Sequence, residues 1–221
     1  MCFNKETSIS AFIIGTLFTV LDIKKGYTKN DAFTLFFGFI SIFIVIIQLL
    51  EYFIWRDIKN IAMNNKISLL IILITFFQPI IFLLIYSVIY KKPLPYWIII
   101  VAIIYIFNNK SLFNLDNKNL ITVVDKSSKK LLWATFEKTG NIKMLGTLLY
   151  WVMIGTLVFK LYKMNDRRMN QLLKNIGVIT LFTLFVVYLY RQESFKKIKA
   201  IFSTLWCIFC IFIPIVVYIT T

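Results

Sequence analysis

The chain has 221 residues, of which 59% are hydrophobic, and its formal net charge is +15. A soluble domain of this length cannot bury so much apolar surface, so the composition excludes soluble classes and predicts a multi-pass integral membrane protein in contact with the lipid bilayer. The basic residues lie between the apolar runs, where they anchor helix ends to headgroups, so the charge does not indicate nucleic-acid binding.

Seven apolar runs predict an all-α membrane protein, a seven-transmembrane helix bundle formed by one domain, residues 1–221. The predicted spans are 7–21, 32–55, 67–90, 95–107, 144–162, 175–190 and 200–220. Between spans four and five, the extramembrane loop 108–143 contains two β-leaning runs, 121–124 and 131–136, which predict a short β-hairpin on the membrane surface. Lys and Arg are more frequent on the side that carries the N-terminus and this loop, which predicts a cytoplasmic N-terminus.

The second span contains Glu51, which is the only acid that these bounds place inside a span. Gln48, Glu51 and Trp55 share one helix face, and Glu51 lies about 6 Å inside the end marked by Trp55 and Arg56. A carboxyl group there is costly in lipid, which makes it a candidate functional residue. The alternative is that Glu51 snorkels or pairs with Arg56.

Prolines inside the apolar runs predict helix kinks. Gln78 and Pro79 lie near the middle of span three, where the proline removes one amide and crowds the carbonyl of Thr75. Pro214 is expected to bend span seven past its midpoint.

Alternation of the spans places the end of span two, the start of span seven and the chain start on one membrane side. We therefore expect a polar pocket that opens toward loop 108–143. The residues predicted to line it are Gln48, Glu51, Trp55, Ser203, Trp206, Cys207, Cys2 and Asn4. The alternative is that these small polar residues only form helix–helix hydrogen bonds.

Several kinds of site are disfavoured by what the sequence lacks. It has no His and three Cys, two of them in an apolar run, so we expect no metal site, no disulfide framework and no cofactor. Residues 200–221 contain no Lys, which disfavours a covalent retinal photoreceptor.

Short motifs along the whole chain carry a family resemblance. The segments MCFNKETSISAFIIG, QLLEYFIW, FFQPIIF and FSTLWCIF resemble an uncharacterised seven-span family of bacteria, whose chains begin Met-Cys-Phe-Ser, and its relatives in giant DNA viruses. The resemblance implies a viral or bacterial seven-span bundle and brings no activity. Asn4 stands where that family usually has Ser, and the recurring positions fall on Cys2, Phe3, Gln48, Glu51, Trp55, Pro79, Ser203, Trp206 and Cys207.

Two functions follow from this pattern. The first is a channel, transporter or binding protein whose pocket around Glu51 binds a small ligand or conducts protons or cations. The second is a membrane-embedded lipid-modifying enzyme in which Glu51 serves as general acid or base and Ser203 or Cys207 as nucleophile. The sequence leaves the oligomeric state open, including a homo-oligomer.

Overall fold

The computed structural model describes residues 4–108, 122–124, 131–132, 144–164, 167–172, 174 and 212–220. Within these residues the regular structure is helical apart from one short pair of strands, so the all-α class is confirmed at that level. The helices are α1 (Lys5–Thr28), α2 (Ala32–Arg56), α3 (Ile61–Tyr90), α4 (Tyr96–Asn108) and α5 (Met144–Lys163). Residues 167–172 and 212–220 are also helical.

Helices α1, α2 and α3 are long and apolar enough to cross a membrane, and α4 is apolar but shorter. These lengths are those of an integral membrane protein. Helix α2 follows the predicted second span closely, whereas α1 continues past residue 21 to Thr28 and α3 begins at Ile61 instead of residue 67. The run 175–190 and most of 200–220 lie outside the described residues, so the count of seven spans stays a prediction.

The starts of the helices are set by side chains that cap them. Asn4 accepts a hydrogen bond from the amide of Thr7 at 2.7 Å, and Asp31 accepts one from the amide of Phe33 at 3.1 Å. Asn60 caps α3 in the same way. Each cap satisfies an amide that the first helical turn leaves without a partner, which fixes where the helix begins.

A tight turn folds α2 back along α1. Asn30 adopts the left-handed conformation with φ of 51°, which asparagine tolerates better than most residues. The amide of Asp31 then donates to the carbonyl of Gly26 at 2.8 Å, closing the helix end with a six-to-one hydrogen bond. Helices α1 and α2 are therefore antiparallel neighbours.

Two glycines allow α1 and α2 to approach closely. A Cβ atom on Gly26 would lie 2.6 Å from the backbone nitrogen of Leu35, and one on Gly38 would lie 2.7 Å from Cγ1 of Ile23. The seam between α1 and α2 thus depends on small residues, as is common where membrane helices pack.

Helix α3 runs through Pro79 without a break. Near this proline, the hydroxyl of Tyr105 on α4 donates to the carbonyl of Phe76 at 3.0 Å, and the two rings stack at 4.7 Å. A partner from a neighbouring helix is how membrane bundles satisfy carbonyls that a proline loosens.

The main apolar core lies among α2, α3, α4 and α5, and it also takes in Val217 from the helical residues 212–220. A second apolar cluster lies where α2 ends and α3 begins. Its buried members are Ile47, Leu50, Ile54, Ile67, Ile71 and Leu131. Leu131 is the member that comes from the segment between α4 and α5.

That segment contains strands β1 (Val123–Val124) and β2 (Leu131–Leu132), which pair antiparallel. The residues between them lie outside the described part, so the predicted hairpin as a whole stays a prediction. Its predicted place on the membrane surface also stays a prediction; Leu131 is fully buried and Thr122 is 1% exposed, so both residues pack against the rest of the protein. Leu131 packs in an apolar cluster with residues of α2 and α3. Thr122 forms hydrogen bonds with Asn64 of α3.

The alternating helices define two ends of the bundle. We call the first side the end with the start of α1, the end of α2 and the strand pair, and the second side the end with the α1–α2 turn. On the second side Arg168 pairs with Asp31 through Nη1–Oδ2 and Nη2–Oδ1 distances of 2.5 and 3.1 Å. Lys25 donates to the carbonyl of Tyr218 at 3.0 Å. Both later segments therefore reach the second side.

Candidate functional site

Gln48 and Glu51 lie on the buried face of α2, and both are 0% exposed. Glu51 belongs to a stripe of buried residues at alternating spacings of four and three, where Ile47 lies one turn before it and Ile54 one turn after. Gln48 belongs to the adjacent stripe of buried residues, which includes Gly38 and faces α1. The structure therefore places the predicted polar pair inside the bundle, with Glu51 about 7 Å and Gln48 about 12 Å from the end of α2 along the helix axis.

One residue of the strand pair belongs to the apolar cluster at this end of α2. Leu131 is fully buried and packs in the same cluster as Ile47 and Ile54, which flank Glu51 by one turn on each side.

A buried polar network lies at a similar depth on α3. Asn64 donates to the carbonyl of Thr122 at 2.9 Å and accepts from its amide at 3.0 Å. The hydroxyl of Ser68 lies 3.0 Å from Oδ1 of Asn64 and 2.6 Å from Oγ1 of Thr122. These groups satisfy one another, so their role is to hold the strand segment in place.

The other predicted pocket residues have different outcomes. Trp55 is half-buried, and its Nε1 has no hydrogen-bond partner among the described residues. Asn4 is exposed and its side chain caps α1, which gives it a structural role. Cys2, Ser203, Trp206 and Cys207 lie outside the described residues, so their place beside Glu51 stays a prediction.

The predicted kink residues are buried. Gln78 is 0% exposed, and its Oε1 accepts a hydrogen bond of 3.4 Å from the hydroxyl of Tyr150 on α5. Pro79 and Pro214 are buried within helical residues. Gln78 therefore links α3 to α5 in the middle of the bundle, and bending at either proline stays a prediction.

Sequence reasoning missed one acidic residue. Asp22 is 0% exposed, and it lies in α1 because this helix continues to Thr28. A second buried acid therefore lies in a helix that is long and apolar enough to cross a membrane. The signal was the spacing of Gly15, Thr19, Asp22 and Gly26, which continues one helix face beyond residue 21.

On the second side, Arg168 and Asp31 form an ion pair. Burial raises the pKa of Asp31, but hydrogen bonds from Arg168 and Thr34, the Arg168 charge and the amide of Phe33 outweigh it and hold that pKa below its usual value. Arg168 also lies 4.7 Å from the ring of Phe33. This pair fastens the α1–α2 turn to the segment after α5.

Within the described ranges, no group of three or more His, Cys, Asp or Glu residues is placed to hold a metal ion. Comparison of the chain with protein-family models, curated proteins and solved structures finds no match. The resemblance to the bacterial and viral seven-span family stays a prediction.

Proposed function

We propose that this chain is a seven-span membrane protein whose intramembrane site at Gln48 and Glu51 binds a small ligand or conducts protons or cations. The observation that supports it most directly is the complete burial of Glu51 on the inward stripe of α2. An ionisable group within a membrane helix is expensive, and where it faces the bundle interior it usually marks a ligand or ion pathway.

The amide of Gln48 extends this polar region toward α1. It is fully buried on the stripe of α2 that contacts α1, one turn deeper in the bundle than Glu51. A carboxyl and an amide side by side offer oxygen ligands for a cation and both donors and acceptors for a small polar molecule.

The count of seven spans is supported by where the described segments end. Arg168 contacts Asp31 and Tyr218 contacts Lys25, so residues near 168 and near 218 lie on the second side. A chain that leaves and returns to one side crosses the membrane an even number of times. Two proposed crossings between Arg168 and Tyr218, added to the five proposed for α1 to α5, give seven.

The proposal is tested with purified protein in liposomes that contain a pH-sensitive dye or a Na⁺ or K⁺ indicator. We expect ion flux above that of protein-free vesicles, and we expect Glu51→Gln to lower it at least tenfold by removing the charge at nearly constant volume. Glu6→Gln is the matched control, because Glu6 is an exposed acid in the first turn of α1. It should leave the flux unchanged.

The ligand branch is tested on the same preparations by native mass spectrometry. A small molecule bound to the unaltered protein should be lost in Glu51→Gln and kept in Glu6→Gln. If neither ion flux nor a bound molecule depends on Glu51, the proposal is overturned. The topology is tested separately with reporters fused to both termini, which must report opposite membrane sides for an odd number of spans.

A further inference from the structure

A second buried carboxyl group lies at the contact between α1 and α2, toward the second side. Asp22 is 0% exposed, and a Cβ atom placed on Gly38 would lie 3.4 Å from its Cβ. Its neighbour across the seam is therefore a glycine, which leaves the space beside the carboxyl to small groups. Asp22 lies about 9 Å from the end of α1 along the helix axis.

Four oxygen atoms in this seam have no hydrogen-bond partner among the described residues. They are both carboxylate oxygens of Asp22 and the hydroxyl oxygens of Thr19 and Ser41, and all four are buried. Thr19 is 3% exposed and Ser41 is 0% exposed. Leaving so many buried polar atoms without a partner is energetically unfavourable, so the arrangement calls for an occupant.

Helix geometry places the three side chains within about one turn of one another along the seam. Thr19 precedes Asp22 by one turn on the same face of α1, and Ser41 follows Gly38 by one turn on the facing side of α2. Because the helices are antiparallel and Asp22 packs beside Gly38, both hydroxyls lie on the same side of the carboxyl. Side chains in a helix lean toward its N-terminus, so the carboxyl of Asp22 points toward Thr19 and Ser41.

The charge of Lys25, one turn from Asp22 on the same helix, acts on this carboxyl group. The ammonium group of Lys25 nevertheless donates to the carbonyl of Tyr218 and lies 4.7 Å from the centre of that ring, and both oxygens of Asp22 have no hydrogen-bond partner among the described residues. On α2, the residues that face α1 near this level are Thr34, Gly38 and Ser41, which carry no charge. The hydroxyl of Thr34 is already committed to Asp31.

We infer that Asp22, Thr19 and Ser41 form a binding site for a monovalent alkali cation between α1 and α2. Carboxylate and hydroxyl oxygens are the ligands that hard cations prefer, and one cation engages all four oxygens at once. A single carboxylate balances a single positive charge, whereas divalent ions draw on more carboxylates and more ligands. This inference does not depend on the site at Glu51.

The test measures thermal unfolding of the full-length protein in detergent, with NaCl, KCl or choline chloride at equal ionic strength. We expect the unfolding midpoint to rise and saturate with Na⁺ or K⁺ relative to choline, because a ligand that binds only the folded state stabilises it. Asp22→Asn should abolish the rise. Glu6→Gln should keep it. Each variant is also measured in a Glu51→Gln background, so that a cation bound at the proposed site cannot produce the rise.

Conservative variants keep the test decisive if Asp22→Asn does not fold. Thr19→Val removes the hydroxyl at constant volume and should weaken cation affinity at least tenfold, whereas Thr19→Ser restores the hydroxyl and should bind nearly as well as the unaltered protein. Ser41→Ala should resemble Thr19→Val. An unfolding midpoint that is equal in Na⁺, K⁺ and choline overturns the inference, since a proton then neutralises Asp22. A rise that survives in Asp22→Asn, or that saturates in Thr19→Val at the same salt concentration as in the unaltered protein, also overturns it.

Discussion

The close contact between α1 and α2 predicts a graded response to the change from glycine to alanine. A Cβ on Gly26 would meet backbone atoms of Leu35 at 2.6 and 2.8 Å, and one on Gly38 would meet Cγ1 of Ile23 at 2.7 Å and its nitrogen at 3.1 Å. A Cβ on Gly155 in α5 would meet nothing within 4 Å. All three changes raise helix propensity by the same amount, about 1 kcal/mol, so differences among them report packing.

The magnitudes follow from these distances. Ordinary contact begins near 3.4 Å, so Gly26→Ala requires the helices to separate by about 0.8 Å, because a backbone neighbour cannot rotate away. A gap of that size forfeits between a quarter and a half of the dispersion energy along the seam. With overpacking costs of about 1–3 kcal/mol, we expect Gly26→Ala to lower the free energy of unfolding by about 2 kcal/mol.

Gly38→Ala should cost less, because the nearest atom is the end of the flexible Ile23 side chain. The backbone nitrogen of Ile23 would lie 3.1 Å from the new Cβ and needs to shift by only a few tenths of an ångström. We therefore expect the free energy of unfolding to fall by about 0–1 kcal/mol. Gly155→Ala should be neutral or stabilising by up to about 1 kcal/mol. Equilibrium unfolding in mixed SDS micelles measures the series. Equal stability of the Gly26→Ala and Gly155→Ala variants would refute the close seam.

Three further predictions concern contacts that hold the bundle together. Replacement of Arg168 by Ala should lower the free energy of unfolding by about 1 kcal/mol at neutral pH. The folded pKa of Asp31 lies below its unfolded value of about 4, so this loss of stability should shrink as the pH falls through the folded pKa. Unfolding midpoints of both proteins across pH 2–7 measure this dependence. Tyr105→Phe keeps the stacked ring but removes the donor to the carbonyl of Phe76, and should cost about 0.6–1.7 kcal/mol in SDS unfolding, whereas an unchanged midpoint would mean that this carbonyl has another donor. Asn64→Ala should release the segment before β1 and raise its rate of limited proteolysis at least tenfold over an exposed Ser10→Ala control; equal rates would contradict the docking.

The sequence predicted those elements whose signals are local. Helix α2 was predicted almost to the residue, because an apolar run in which Glu51 is the one charged residue lies between Asp31, which caps it, and Trp55 with Arg56, which mark its end. The burial of Glu51 and Gln48 was also predictable, because an acid and an amide on one face of a membrane helix are too costly to expose to lipid.

The features that were missed depend on contacts between distant parts of the chain. Lys24 and Lys25 after the first apolar run suggested that the helix had ended, yet α1 continues because Asp22 faces α2 and Lys25 finds a carbonyl on Tyr218. Likewise, the basic residues around the predicted hairpin gave no indication that Leu131 is buried. Its burial depends on contact with apolar side chains of α2 and α3, which are distant in the sequence.

The bond between Asn64 and Thr122 also constrains the order in which the protein is assembled. The two residues are 58 positions apart, and the rest of α3 and the whole of α4 lie between them in the chain. When α2 and α3 enter the bilayer, Asn64 and Ser68 therefore still lack the partner that later satisfies them. They tolerate this delay because Asn64 lies only about 5 Å from the start of α3, near headgroup water. The α2–α3 pair is thus expected to insert as a hydrated intermediate that the α4–α5 segment closes afterwards.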